Sequence, residues 1–179
     1  MQVDRSGGLY RVTVSEEAQA PPEAVYDTLA DLSTHIEWGG SWHPSRTQRL
    51  QSMEAPEGAA TVGVEFWSVG TTGAGSWHDR STVTEATRPA LFEFVTEGRR
   101  EGKPGSQPWL STAVHRYEIS SESGGCRVTY TEDLTRLAGA PRILLAPGIS
   151  RILFRISAKC MRRGFEGLLA LAEERSAAR

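Results

Sequence analysis

Two cysteines are all this chain has, and Cys126 and Cys160 stand too far apart for a zinc pattern or a disulfide framework. Read as buried free thiols, they suit a cytoplasmic protein. Long apolar runs are also missing. The best, residues 143–154, is broken by Pro147, Gly148 and Arg151, so a spanning helix of about 18 or more apolar residues is not expected. The first fourteen residues lack a positive segment followed by an apolar one, so no secretory signal is expected. Charge of one sign is not in excess: 20 Lys and Arg face 22 Asp and Glu, which gives no global attraction for nucleic acid. There is no Ser-centred elbow, phosphate loop or dinucleotide fingerprint. His35, His43, His78 and His115 fall in different segments without ligand spacing. Neither a metal nor a cofactor is therefore expected. At 179 residues, with a hydrophobic share of 39%, the composition suits one soluble domain over 1–179 with a sizeable core.

What is present is strand alternation followed by one long helix. Over residues 9–14, Tyr10, Val12 and Val14 share a face, a period of two. Ala20-Pro21-Pro22 stops that strand and opens a short helix over 22–32, where Val25, Leu29 and Leu32 recur at helical spacing. A second short turn over 34–38 ends at Gly39-Gly40. Strands are then expected over 47–53, 61–72, 76–87, 91–97, 111–121 and 126–134, and the glycine- and proline-bearing stretch 98–108 reads as a loop. Their spacing suits consecutive antiparallel hairpins rather than βαβ units. From about 148 to 175 proline is absent and helix formers dominate, which predicts a helix of about 40 Å, long enough to cross a sheet. Its apolar stripe includes Ile149, Ile152, Ile156, Cys160, Met161 and Leu168.

The order strand, two short helices, strand meander and long terminal helix resembles the START-like (SRPBCC) superfamily of polyketide cyclases/dehydratases and Bet v 1-like carriers. Local motifs carry the resemblance. Ala20-Pro21-Pro22-Glu23-Ala24-Val25-Tyr26 is similar to the family's entry to its first helix, and Leu29-Ala30-Asp31 precedes Trp38 as in that family. Val62-Gly63 with Phe66, and Val83-Thr84-Glu85 leading to Pro89, resemble its third- and fourth-strand signatures. The resemblance implies an α+β helix-grip fold: a curved antiparallel sheet of six to seven strands wrapped around the C-terminal helix. The arginine that cyclase relatives point into the cavity has no counterpart near Thr82, although Arg80 lies two residues earlier.

Alternation assigns the inward faces. Phe66; Trp77, Asp79, Ser81 and Val83; Phe92 and Phe94; His115 and Tyr117; and Tyr130 with Glu132 should point toward the helix. Trp67 should point out. Trp38 and Trp42 flank Gly39-Gly40 at the expected mouth, Trp109 follows the expected loop, and the helix contributes Met161 and Phe165. The expected ligand-binding set is Trp38, Trp42, Phe66, Trp77, Asp79, Ser81, Phe92, Phe94, His115, Tyr117, Tyr130, Met161 and Phe165. Asp79, His115 and Tyr117 are candidate acid–base groups, because a buried carboxylate or imidazole is costly unless paired or used. Two readings stay open: Asp79 pairs with His115, Arg80 or backbone groups or sits at the wet rim, or the polar groups orient a ligand's oxygen atoms or act as acid and base.

Between Asp133 and Glu166 there is no acidic residue, and Arg151, Arg155, Lys159 and Arg162 repeat at helical spacing. This basic flank is either a solvated outer face or a contact for an anionic membrane surface, with Ile143-Leu144-Leu145 just ahead of it. Three functions remain: a carrier of a lipid, polyketide or isoprenoid; a cyclase/dehydratase-like enzyme; or a regulatory interaction domain. Oligomeric state is not specified.

Overall fold

The computed structural model describes residues 2–4, 9–41, 48–72, 75–102, 107–141 and 146–178. Strand β1 (Gln2–Asp4) is a three-residue edge that pairs Val3 with Val12 of β2 (Tyr10–Ala18). In β2 the alternation holds: Tyr10, Val12 and Val14 are buried, and the strand continues to Ala18 before the prolines stop it. Helix α1 (Pro22–Ala30) starts on its proline with Glu23 in the first turn, and buries Val25, Tyr26 and Leu29. It ends two residues before the expected 32. Leu32–Thr34 then tightens into a 3₁₀ turn, and Glu37–Ser41 forms a short π turn. Thr34 Oγ1 donates to Thr28 O at 2.8 Å and accepts from Trp38 Nε1 at 3.2 Å, which ties both turns to α1.

The meander follows as β3 (Gln48–Glu54), β4 (Glu65–Thr72), β5 (Gly75–Thr87), β6 (Leu91–Glu101), β7 (Trp109–Glu122) and β8 (Gly125–Ala138). The sheet order is β1-β2-β8-β7-β6-β5-β4-β3, antiparallel throughout, so each hairpin pairs with the next and β2 returns beside β8. Register shifts at Leu50/Ser52, Val83/Glu85 and Thr112/Ala113 are the bulges that bend such strands. The helix-grip α+β fold is as expected, with the short β1 added at one edge.

Further boundaries differ from expectation in the meander. Residues 61–64 turn instead of extending: Gly63 has φ +88, and Val64 N–H donates to Thr61 O at 3.1 Å. The expected loop 98–108 is strand as far as Glu101. Gly98 lies opposite Asp79 in the ladder, where a Cβ would come within 2.6 Å of Asp79 Oδ1 and 2.7 Å of Ser111 Oγ. This glycine makes room within a strand; it does not break one. Trp109, expected to follow that loop ahead of a strand from 111, itself opens β7 opposite Arg100.

Helix α2 (Pro147–Ala177) spans about 46 Å at ~1.5 Å per residue and packs against α1, the π turn and β2. Its second half supplies Phe165, Leu168, Leu169 and Ala172 to a core that also holds Val14, Leu29, Phe92 and Val128. Among the described residues, no helix is long and apolar enough to cross a membrane.

Candidate functional site

Between α2, the π turn and the inward rows of β3 to β8 lies a cavity of about 250 Å³. Period two puts Trp77, Asp79 and Ser81 on its wall from β5, Phe94 and Thr96 from β6, His115 and Tyr117 from β7, and Tyr130 from β8. Phe66 enters from β4, Trp38 from the π turn, and Met161 and Phe165 from α2. Trp67 is exposed on the other face, as alternation requires.

Phe92 is the correction. It is fully buried but does not line the cavity, because its row has by then passed beneath α1, where it meets Tyr26 edge-on at 5.9 Å. Trp42, His43 and the apolar triplet 143–145 lie outside the described residues.

Two polar clusters reach this wall, one through Asp79 and one through His115 and Tyr130. In the first, Arg100 Nη1 donates to Asp79 Oδ1 at 2.6 Å, and the guanidinium carbon sits 5.5 Å from the Trp77 ring centre. Trp77 in turn lies over Gly70, where any Cβ would collide with the indole. Neither sequence-based partner of Asp79, His115 or Arg80, is the one it hydrogen-bonds. Arg80 is on the outward face with Glu65 and Glu97. Burial raises the Asp79 carboxyl above its ordinary value, with Arg100 opposing the shift.

The second cluster is a chain. Tyr130 Oη donates to Glu132 Oε2 at 3.0 Å, and His115 Nδ1 lies 2.9 Å from Tyr130 Oη. His115 faces Glu132 directly across the β7–β8 ladder, with Nδ1 3.6 Å from the carboxylate. Burial pushes Glu132 up to about 7, against the pull of Tyr130 and Arg100. Burial pushes His115 down to about 4, with Asp79 opposing, so the imidazole is neutral at pH 7. Tyr117 and Tyr130 are raised by burial and by Glu132. With Glu132 ionised, Tyr130 donates to it and accepts from His115 Nδ1–H, which leaves the Nε2 lone pair free to accept a proton. With Glu132 protonated the direction can reverse: the acid donates to Tyr130, and Tyr130 donates to Nδ1. A neutral imidazole and a carboxyl poised near 7 are suited to moving a proton or to orienting an oxygen atom.

Several residues on the wall, or bonded to it as Arg100 is to Asp79, carry little signal in the sequence. His35 is buried in the turn after α1, its Nε2 3.0 Å from Leu29 O, and burial holds it at about 4. It tilts against Trp38 at 4.6 Å and meets Phe66 edge-on at 5.9 Å. No periodicity marks it, because it lies between elements. Arg100 had a usable signal: Phe92, Phe94, Thr96, Gly98 and Arg100 continue one alternating row. Thr96 shares a 2.8 Å hydrogen bond with Ser81. Among the described residues, no buried side-chain nitrogen or oxygen lacks a partner, and no group of three His, Cys, Asp or Glu is placed to hold a metal ion. The wall is thus polar in places yet internally satisfied.

Known proteins agree with the architecture. An uncharacterized protein from Rhizobium leguminosarum superposes with a TM-score of 0.66 at 13% identity, covering 92% of this chain and 94% of its own. A conserved protein from Geobacillus kaustophilus gives 0.65 at 16% identity, covering 92% and 94%. Ara h 8.0201 gives 0.58 at 12% identity, covering 90% and 96%. At such identities these likenesses establish the fold alone. No protein among those with curated descriptions matches. Residues 10–173, from the start of β2 into the last turns of α2, match the family described as polyketide cyclase / dehydrase and lipid transport, and this chain belongs to that family.

Proposed function

We propose that this protein binds a hydrophobic small molecule of the lipid, polyketide or isoprenoid class in the cavity beneath α2. The observation that carries the reading is the wall itself: aromatic rings of Trp38, Phe66, Trp77, Phe94 and Tyr117 surround a space edged by Asp79, which Arg100 holds, and by His115. Apolar walls with a few convergent polar groups are the usual form of a small-molecule site. At about 250 Å³ the space is slightly below the ~300–1,000 Å³ common for such sites, which favours a compact ligand or one end of a longer one. Its oxygen-bearing end belongs at the polar edge, where hydrogen-bonding groups are already held in place.

Gly164 provides the test. It lines the cavity, and the nearest atom to a Cβ built there is Gly39 Cα at 4.0 Å, so a side chain has room to enter. Native mass spectrometry of gently purified protein should find a bound apolar compound, and Gly164→Leu should lose it while the fold is retained. A bare mass in the unsubstituted protein, together with no uptake of an apolar fluorescent probe, sinks the proposal.

The His115–Tyr130–Glu132 chain favours a second reading, a cyclase/dehydratase-like reaction in which His115 takes or returns a proton while Asp79 and Tyr117 orient the substrate. With a substrate in hand, His115→Ala and Asp79→Asn should abolish turnover and leave binding largely intact. If both variants merely unfold more easily, the groups are structural.

A further inference from the structure

The two halves of α2 are built differently. In the second half, Phe165, Leu168, Leu169 and Ala172 are buried. In the first half, Ile149, Ile152 and Ile156 remain 38%, 60% and 45% exposed, a cost in apolar hydration that the fold does not relieve. At about 100° per residue these isoleucines span roughly 60° of helix circumference. Arg155, Lys159 and Arg163 fall on and beside the same arc. No ion pair or hydrogen bond among the described residues reaches these three cations, whereas the neighbouring Arg162 is held by Glu16 and Glu166. The side chain of Arg151 lies outside the described residues.

We infer that this face docks the protein on an anionic lipid surface. Its chemistry selects that occupant. A second copy presenting the same face would bring two sets of unpaired cations together without a carboxylate, and like charges oppose such a contact. A solvated cationic face would explain the arginines and the lysine but not the exposed isoleucines between them. An anionic bilayer supplies both an apolar depth for the isoleucines and negative charge at the level of the cations. Arg163 also lines the cavity with Met161 and Gly164, so docking brings the cavity wall to the membrane. The docking itself stands on the exposed face and not on cavity occupancy.

The test is co-sedimentation of the full chain with vesicles of phosphatidylcholine alone and with about 30% phosphatidylserine, at low and high salt. Binding is expected only to the phosphatidylserine vesicles, and it should weaken as salt rises. Arg155→Glu with Lys159→Glu should weaken it at least ~25-fold, since each neutralised charge near such a surface is worth roughly fivefold. Ile152→Ser with Ile156→Ser should weaken it further at low salt. All four positions are exposed, and circular dichroism should find the helix intact; if the serine variant unfolds, the charge reversal decides alone. Absence of binding at low salt, or equal binding by the charge-reversed variant, overturns the inference. Self-association abolished by the serine variant, without vesicle binding, assigns the face to a second copy. Retention on polyglutamate but not on vesicles assigns it to an acidic protein. Both of these outcomes also overturn it. Ligand retention by native mass spectrometry in the charge-reversed variant keeps this result distinct from the fate of the cavity proposal.

Discussion

On the outward face of β5, Arg80 meets Glu65 and Glu97; one residue earlier, on the inward face, Asp79 meets Arg100 at 2.6 Å. The same contrast recurs on β7, where Arg116 pairs with Glu93 and Glu118 outside while His115 joins Tyr130 and Glu132 inside. The groups are chemically alike and adjacent in sequence. Their surroundings differ: the Arg80 side chain is 52% exposed and that of Asp79 is 12% exposed. Water screens the outer pairs, which therefore add little to stability. Inside, desolvation must be offset group by group, so each partner becomes indispensable to the other, and protonation equilibria move. The inner polar groups are therefore poor candidates for simple stabilisers and good ones for binding or proton movement.

The contrast can be broken by experiment. Arg100→Ala leaves the Asp79 charge without its partner and should cost about 3–5 kcal/mol in urea unfolding at neutral pH. Asp79→Asn added to it should recover part of that loss. A cost no larger than that of an outer pair would erase the distinction.

The next largest effect is a pH dependence. Glu132 is raised from 4.5 to about 7, so its protonated form favours the folded state. That contribution is complete below about 4.5 and is lost as pH rises through about 7, to a limit of about 3 kcal/mol. His35 and His115, lowered from 6.5 to about 4, act the other way: their contribution is present above about 6.5 and lost as pH falls through about 4. Glu132→Gln should therefore remove the alkaline loss and leave the acid-side loss intact. Urea midpoints measured from about pH 4 to about pH 9 would resolve both limbs.

Tyr130→Phe is milder, at about 1–2 kcal/mol for a lost hydroxyl between two partners. It also removes the donor that holds Glu132 down, so the Glu132 carboxyl should titrate above about 7 when followed by carbon NMR. Smallest of all, Arg80→Ala should cost less than about 1 kcal/mol, and less again in high salt.

Much of this was legible in the sequence, and for identifiable reasons. Alternation is local, so Trp77, Asp79 and Ser81 could be set on one face, and Trp67 on the other, without knowing the fold. Failures came where local cues conflict. Gly98 reads as a break, which truncated β6 and hid Arg100. His35 sits between elements and has no period to reveal it. Phe92 has the right parity but the wrong height along its strand: the row that lines the cavity at Phe94 has passed under α1 two residues earlier.

Residue order alone was enough for the strands and the long terminal helix, the inward and outward rows, and the acid-free basic flank of α2, because each depends on a pattern within a segment. The helix-grip architecture followed from the resemblance in motif order. Partnership was not contained there. That Asp79 takes Arg100, that His115 reaches Glu132 through Tyr130, and that Ile152 stays uncovered all depend on register and on helix placement. Those are settled by contacts between distant segments, through packing and desolvation that no single strand or helix pattern encodes.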